Sequence, residues 1–302
     1  MAEALPAVPG QVPARVRVAA VQYGQHRIAG FDEFAGKVEE FVRVAADYGS
    51  DFVCFPELFS LQLLSAEPRM LAPAEALERL SGYTPAFTEL LGRLAGQYGV
   101  HIVGGTHPTH TGEGPRNICF VATRDGRLHR RDKLHITPSE QDSWKVQGGE
   151  EADVIPTDAG PIGIMVCYDS EFPELGRHLA DQGALLLFVP YCTDLRSGHL
   201  RVRYSCQARA VENQVHVVAA GNVGHCPNVA NFDIQYAQSG VYTPCDFPFP
   251  PEGIAAEASP QAEQIVFADL DLEALLQARR SGTVRNLQDR RPALYAQWRR
   301  GR

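Results

Sequence analysis

Three residues of this chain join chemical reactivity to a position that can use it: Cys167, Glu57 and Lys133. Cys167 closes the apolar run Ile162-Gly-Ile-Met-Val-Cys167 and is followed, after Tyr168-Asp169-Ser170, by Glu171-Phe-Pro-Glu174. The run reads as a buried strand, and the acids around Pro173 read as the opening of a helix. A thiol between a strand end and a helix N-terminus lies where backbone N–H groups converge, which favours thiolate and suits a nucleophile. The N–H of Tyr168 is then placed to help form an oxyanion hole. Glu57 follows Phe-Val-Cys-Phe-Pro56 at the carboxyl end of another strand, where open α/β sheets put their sites. Lys133 sits in Arg130-Arg-Asp-Lys-Leu-His135, and it is one of only three lysines beside 25 arginines. In a chain that otherwise writes arginine, a lysine at such a spot is less arbitrary. Thiol, carboxylate and ammonium, each at an element end, are the parts that acyl transfer through a thioester needs. Each also has a bland alternative: a buried strand cysteine, a turn-capping acid, one more solvated charge.

The elements that must position these groups alternate along the chain. Short apolar runs predict strands at Arg17–Gln22, Asp51–Phe55, Val100–Gly104, Ile118–Ala122, Ile162–Cys167, Ala184–Val189, Val215–Ala220 and Ile265–Leu270. Amphipathic stretches predict helices at Phe31–Tyr48, Thr84–Tyr98, Pro173–Asp181, Leu200–Gln214 and Leu272–Arg280. Asp125-Gly126 marks a hairpin after the fourth strand. Leu58–Pro85 and the Pro-rich stretch Pro244–Pro260 read as long loops, the former a pocket wall. Strand–helix–strand units over more than 200 residues imply an α/β fold with a largely buried sheet. Residues 1–14 read as a flexible tail and 15–302 as one domain.

Composition removes several function classes. With 302 residues, 44% hydrophobic and 21% charged, the chain is globular rather than disordered or fibrous. A net charge of −8 gives no electrostatic case for nucleic acid or an anionic membrane. No apolar run reaches the roughly 20 residues of a membrane span, and the N-terminus lacks signal-peptide character. Seven scattered cysteines without a CxxC pair suit reduced thiols in the cytoplasm. GxSxG, GxxxxGK[ST] and GxGxxG fingerprints are missing. The histidines of His107-x-x-His110 and His225-Cys226 read as solvated loop histidines rather than metal ligands, since no companions lie at zinc spacing.

Phe55-Pro-Glu-Leu58, Arg131-Asp-Lys-Leu-His135 and Cys167-Tyr-Asp-Ser-Glu-Phe-Pro-Glu174 occur in that order, at separations that resemble the Glu, Lys and Cys signatures of the nitrilase superfamily, the carbon–nitrogen hydrolases. Val18-Ala-Ala-Val-Gln22, Asn117, Gln207-Ala-Arg-Ala-Val-Glu-Asn213 and Asp289-Arg-Arg-Pro-Ala-Leu-Tyr295 extend the resemblance over nearly the whole chain. The resemblance implies a four-layer α-β-β-α sandwich, commonly dimeric or a higher homo-oligomer, with no metal, flavin or nucleotide cofactor. It also implies roles. Glu57 would be the general base, Cys167 the nucleophile that forms a thioester, and Lys133 the stabiliser of the tetrahedral intermediate. Glu140, seven residues after Lys133 and four before Trp144, matches a second carboxylate that orients the lysine and substrate.

The family pattern is not matched everywhere. Many members carry Arg four residues after the nucleophile, where this chain has Glu171, which weighs against recognition of carbamoyl amino acids. The Trp and Glu that follow the nucleophile in true nitrilases are Tyr168 and Asp169 here. The expected activity is therefore of amidase type on a small-molecule amide. Nitrile or N-carbamoyl hydrolysis, acyl transfer to an acceptor other than water, and a non-catalytic scaffold are the alternatives. Tyr191-Cys-Thr-Asp194 follows a strand end and is expected to line the pocket. Tyr168, Tyr191 and Asp194 are then the candidate substrate-binding residues, the last two pointing to a neutral or cationic substrate. Arg196, Arg201 and Arg203 argue the other way if they face inward.

Overall fold

In the computed structural model, which describes residues 7–8, 12–230, 232 and 234–300, strand β1 (Arg15–Gln25) sorts its apolar residues by parity. Val16, Val18 and Ala20 enter one buried cluster, and Ala19, Val21 and Tyr23 enter another. A strand buried on both faces lies between two layers, because successive side chains point to opposite sides. Most of the expected tail lies outside the described residues.

After β1 come α1 (Phe31–Asp47), β2 (Phe52–Cys54), a 3-10 turn at Phe59–Ala66, α2 (Pro73–Tyr98), β3 (His101–Val103), β4 (His107–Thr111), β5 (Gly114–Ala122) and β6 (Leu128–Asp132). The second half adds β7 (Ile162–Ile164), α3 (Pro173–Asp181), β8 (Leu186–Tyr191), α4 (Arg196–Asn213) and β9 (His216–Gly224). It ends with β10 (Gly240–Tyr242), β11 (Ile254–Glu257), β12 (Gln264–Asp271), α5 (Leu272–Ser281) and α6 (Pro292–Arg300).

Strand β1 pairs with β12 on one side and β2 on the other, and β3, β5, β4 and β6 extend that sheet. A second run, β7-β8-β9-β10-β11, is parallel at first and antiparallel at its far edge. Among the described residues, the strand pairing that joins the two is that of Tyr23–Gln25 of β1 with Asn222–Gly224 of β9. Helices α1 and α2 cover the outer face of the first sheet, burying Phe34, Val38, Val42, Phe87, Leu91 and Leu94 there. Between the sheets, Phe52 and Phe188 bring their rings to 5.2 Å. Helices α3 and α4 pack behind the second sheet through Leu175, Leu179, Val202, Cys206 and Ala210. The expected α-β-β-α layering is the one observed. Among the described residues, no helix is long and apolar enough to cross a membrane.

Several local expectations are corrected. Residues 58–85 are no loop: α2 starts at Pro73 and runs through Pro85. Leu77, Leu80, Phe87, Leu90, Leu91 and Leu94 keep one face apolar across that proline, so packing overrides its helix-breaking tendency. The stretch 244–260 contains β11. His107 is fully buried on β4, with Nδ1 at 2.9 Å from Ser60 Oγ and Nε2 at 3.0 Å from the Leu80 carbonyl. It is a core residue rather than a solvated one.

Candidate active site

Each reactive residue lies just beyond a strand end, and the two sheets contribute different ones. Glu57 follows β2 and Lys133 follows β6, both in the first sheet, whereas Cys167 lies beyond β7 in the second. The strand that was expected to reach Cys167 stops at Ile164. Cys167 instead starts a 3-10 turn to Glu171 and adopts φ +48°, a left-handed conformation that costs a non-glycine residue about 1 kcal/mol or more. Leu58, beside Glu57, is left-handed as well, at φ 57°. Tertiary contacts therefore hold the backbone at both residues.

Those contacts can be named. The Asp169 carboxylate accepts from Val166 N at 3.0 Å and from His135 N at 2.8 Å, tying the cysteine turn to the lysine loop. The His135 ring stacks on Phe172 at 3.7 Å. Buried Arg209 of α4 donates to the Ser170 carbonyl at 3.0 Å, and Ser170 Oγ donates to the Cys167 carbonyl at 2.7 Å. Asn222 of β9 donates to the Glu57 carbonyl at 2.7 Å, which fixes Glu57 from the other sheet.

Lys133 is 2% exposed and lies between two carboxylates, with Nζ 2.7 Å from Glu57 Oε1 and 2.6 Å from Glu140 Oε2. Two of the three ammonium hydrogens are thereby used, and the third has no partner assigned by these contacts. Glu140 is held in turn by Thr137, whose Oγ1 and N donate to Oε2 at 2.8 and 3.1 Å. Asn117 Nδ2 bridges the carboxylates, 3.1 Å from Glu57 and 3.0 Å from Glu140.

Burial raises Glu57 to about 7, against the opposing pull of Lys133. Burial works against the Lys133 charge, yet Glu57 and Glu140 together hold its pKa well above the ordinary lysine value. Glu140 stays below its ordinary value because Lys133 and Thr137 outweigh burial. The Cys167 thiol is pushed well up, by burial first and then by Glu57, with Lys133 pulling the other way. Desolvation thus opposes the thiolate that a place at a strand end is expected to favour. Cys167 Sγ donates to the Cys192 carbonyl at 3.7 Å.

Glu57, Lys133, Glu140 and Cys167 line one cavity of about 420 Å³, within the usual range for a small-molecule site. Tyr168 and Asp194 line it as expected, and Leu58, Leu61 and Trp144 add apolar wall. Tyr191 does not. It is 1% exposed in the core, where its hydroxyl lies 3.2 Å from His199 Nδ1 and accepts from Gln238 N at 3.1 Å. Strand β8 runs two residues past its expected end, and that carries the ring inward against Gly221, where a Cβ would come within 2.4 Å of it. Of the three arginines, Arg201 lines the cavity beside Glu171 at 3.4 Å, whereas Arg203 pairs with Glu257 of β11 at 2.9 Å. Sequence reasoning missed the bridging by Asn117 and the roles of Asp169, Thr137 and Asn222. A polar residue leading an otherwise apolar strand was the available signal for Asn117. Among the described residues, no group of three His, Cys, Asp or Glu side chains is arranged to hold a metal ion.

The carbon-nitrogen hydrolase family model matches residues 17–280. Probable hydrolase YhcX of Bacillus subtilis is 47% identical over 93% of this chain, which spans only 54% of that protein's length. Omega-amidase NIT2 of Danio rerio is 27% identical over 93% of this chain and 97% of its own. Among solved structures, a carbon-nitrogen hydrolase from Helicobacter pylori G27 superposes with TM-score 0.76, at 21% identity, over 94% of this chain and 98% of that one. Saccharomyces cerevisiae Nit3, described as a member of branch 10 of the nitrilase superfamily, gives 0.72 at 24% identity over 91% and 96%. An amidase from Nesterenkonia sp. AN1, described with acrylamide added at its active-site cysteine, gives 0.71 at 22% over 94% and 99%. With its layered sheets, its Glu–Lys–Cys cavity and a family match across most of its length, this chain belongs to the carbon–nitrogen hydrolase family.

Proposed function

We propose that the chain hydrolyses the C–N bond of a small carboxamide through a thioester on Cys167, releasing ammonia or an amine and a carboxylic acid. The observation that carries this reading is the convergence of Glu57, Lys133 and Glu140 on Cys167 in one cavity. Glu57, poised near 7, accepts the thiol proton as Cys167 Sγ attacks the carbonyl carbon. A thiol held protonated makes this transfer part of the attack rather than a prior step. The oxyanion that forms pairs with the remaining N–H of Lys133 and with the backbone N–H of Tyr168. Glu57 then passes its proton to the departing nitrogen, and the C–N bond breaks to leave the thioester. Water, deprotonated by Glu57, attacks the thioester. The carboxylic acid leaves, and the proton returns to sulfur. Glu140 holds the ammonium in place throughout.

The omega-amidase and amidase relatives support amide over nitrile as substrate. Tyr168 and Asp194, with Glu171 and Arg201, form the wall that would select the acyl group. In this reading residues 15–302 act as one hydrolase domain in a cytoplasmic homodimer or higher homo-oligomer. Seven unpaired cysteines fit a reducing compartment, and exposed Tyr204, Tyr295 and Trp298 offer apolar surface for assembly.

Ammonia release from a panel of short aliphatic amides, ω-amides, carbamoyl amines and nitriles tests the proposal, with Cys167→Ala alongside. Turnover of an amide that vanishes in the variant is expected. Turnover that survives Cys167→Ala, or that is confined to nitriles, overturns the assignment.

A further inference from the structure

Lys133 follows a strand of the first sheet and Cys167 a strand of the second, so their spacing depends on what joins the segments that carry them. Lys133 is anchored among its own neighbours: its N donates to the Asn117 carbonyl and its carbonyl accepts from Gly149 N, each at 2.9 Å. Among the described residues, every hydrogen bond between segments 133–140 and 166–172 ends on one side chain, the Asp169 carboxylate. Oδ1 accepts from His135 N and from His135 Nδ1, both at 2.8 Å. Oδ2 accepts from Val166 N at 3.0 Å and from Leu134 N at 3.4 Å. One carboxylate thus grips the two residues after Lys133 and the residue before Cys167.

The choice of side chain matters. Asp169 is 2% exposed, so water hardly competes for these four donors. A carboxylate only accepts, and the proton at His135 Nδ1 therefore points to it. An amide in the same place has one oxygen and would turn its NH2 onto two of the donors. The His135 ring stacks on Phe172, which Tyr168 meets edge-on at 4.9 Å, so the clamp extends to the residue whose N–H faces the oxyanion. Asp169 itself lies outside the cavity wall. We infer that Asp169 is a positioning residue, which clamps the lysine loop to the cysteine turn and so sets the spacing of the Cys167 thiol, the Lys133 ammonium and the Tyr168 N–H. Its effect on turnover rests on the amide-hydrolase reading above; its effect on the thiol does not.

Two readouts test this in Asp169→Asn. The first is the rate at which iodoacetamide alkylates Cys167 at pH 8, followed peptide by peptide in mass spectra. Lys133 pulls the thiol toward thiolate, so a loosened clamp is expected to slow alkylation about tenfold. A merely structural loss opens the cavity and leaves that rate equal or higher. The second readout is kcat for the best amide of the panel, expected to fall about a hundredfold with KM held within about threefold, as for a displacement of about 1 Å between reacting groups. Thermal melting gives the folded fraction to which both are referred. If Asp169→Asn does not fold, His135→Phe keeps the stacked ring, removes one of the four donations and is expected to slow alkylation about threefold. Alkylation as fast as in the parent, or kcat per folded molecule within threefold of it, overturns the positioning role and leaves the amidase reading intact. Absence of Cys167-dependent amide turnover in the parent overturns the amidase reading, and the alkylation rate then decides the role of Asp169 alone.

Discussion

Two cations are buried in this protein to the same depth, and they are held in opposite ways. Lys133 and Arg279 are each 2% exposed. Arg279, on α5, gives Nε to the Gln214 carbonyl at 2.9 Å and Nη2 to the Ala184 carbonyl at 3.0 Å. No carboxylate partner is found for it among the described residues, and burial lowers its pKa to about 10, so it stays charged at neutral pH. Lys133 has the reverse arrangement: two carboxylates, a raised pKa and a place on a cavity wall. Arginine spends its donors on main-chain carbonyls and joins the end of α4 to the loop before β8. Lysine, a compact charge with three donors, gives two of them to carboxylates at the cavity wall. Burial of a charge therefore says little about function until its partners and its access to a cavity are counted.

The comparison is broken most severely at Lys133. Lys133→Met preserves length and removes the charge, and kcat/KM for the amide is expected to fall about a thousandfold or more, as for loss of a principal oxyanion donor. Retention of more than about a tenth of the activity would remove Lys133 from the mechanism. Arg279→Leu should show the opposite profile. It leaves the Gln214 and Ala184 carbonyls without their donor and is expected to cost about 2–4 kcal/mol in denaturant unfolding, with kcat per folded molecule unchanged.

Titration sharpens the contrast further. In Lys133→Met the two buried carboxylates lose their cation, and their folded pKa values rise above the unfolded value. The native state then holds protons that the unfolded state releases, so stability falls as pH rises above the ordinary carboxylate range. Arg279→Leu should show no added slope there, because that guanidinium does not titrate in the window. In the parent protein, kcat/KM is expected to climb as pH rises through about 7, where Glu57 becomes able to accept the thiol proton. The apparent midpoint belongs to the Glu57–Lys133–Cys167 cluster rather than to one residue. A flat profile between pH 5.5 and 8.5, read by ammonia release, would remove Glu57 as the titrating base.

The layered fold was legible because strand and helix periods are local properties. The runs around Val18, Val53, Ile102 and Leu187 carry them without help from distant residues. Glu57, Lys133 and Cys167 could be picked out because each follows such a run directly. What the sequence hid depends on partners far along the chain. Asn117 meets Glu57 across 60 positions, and Asn222 meets it across 165. Tyr191 was misplaced by a two-residue error in a strand end, enough to turn a pocket residue into a core one. His107 looked solvated because the glycines and prolines around it imitate a loop, and only its packing beneath α2 shows otherwise.

Among the described residues, the strand pairing of β1 with β9 over Tyr23–Gln25 is the backbone seam between the sheets. Glu57 and Lys133 stand on one side of it, Cys167 on the other. The gap between thiol and carboxylate is therefore set by how two plates rest on each other, with Phe52 and Phe188 as the bearing surface. A small slip of one plate would misalign the reacting groups while each sheet, taken alone, stayed intact. Under the proposed mechanism, turnover is a strain gauge for the inter-sheet core.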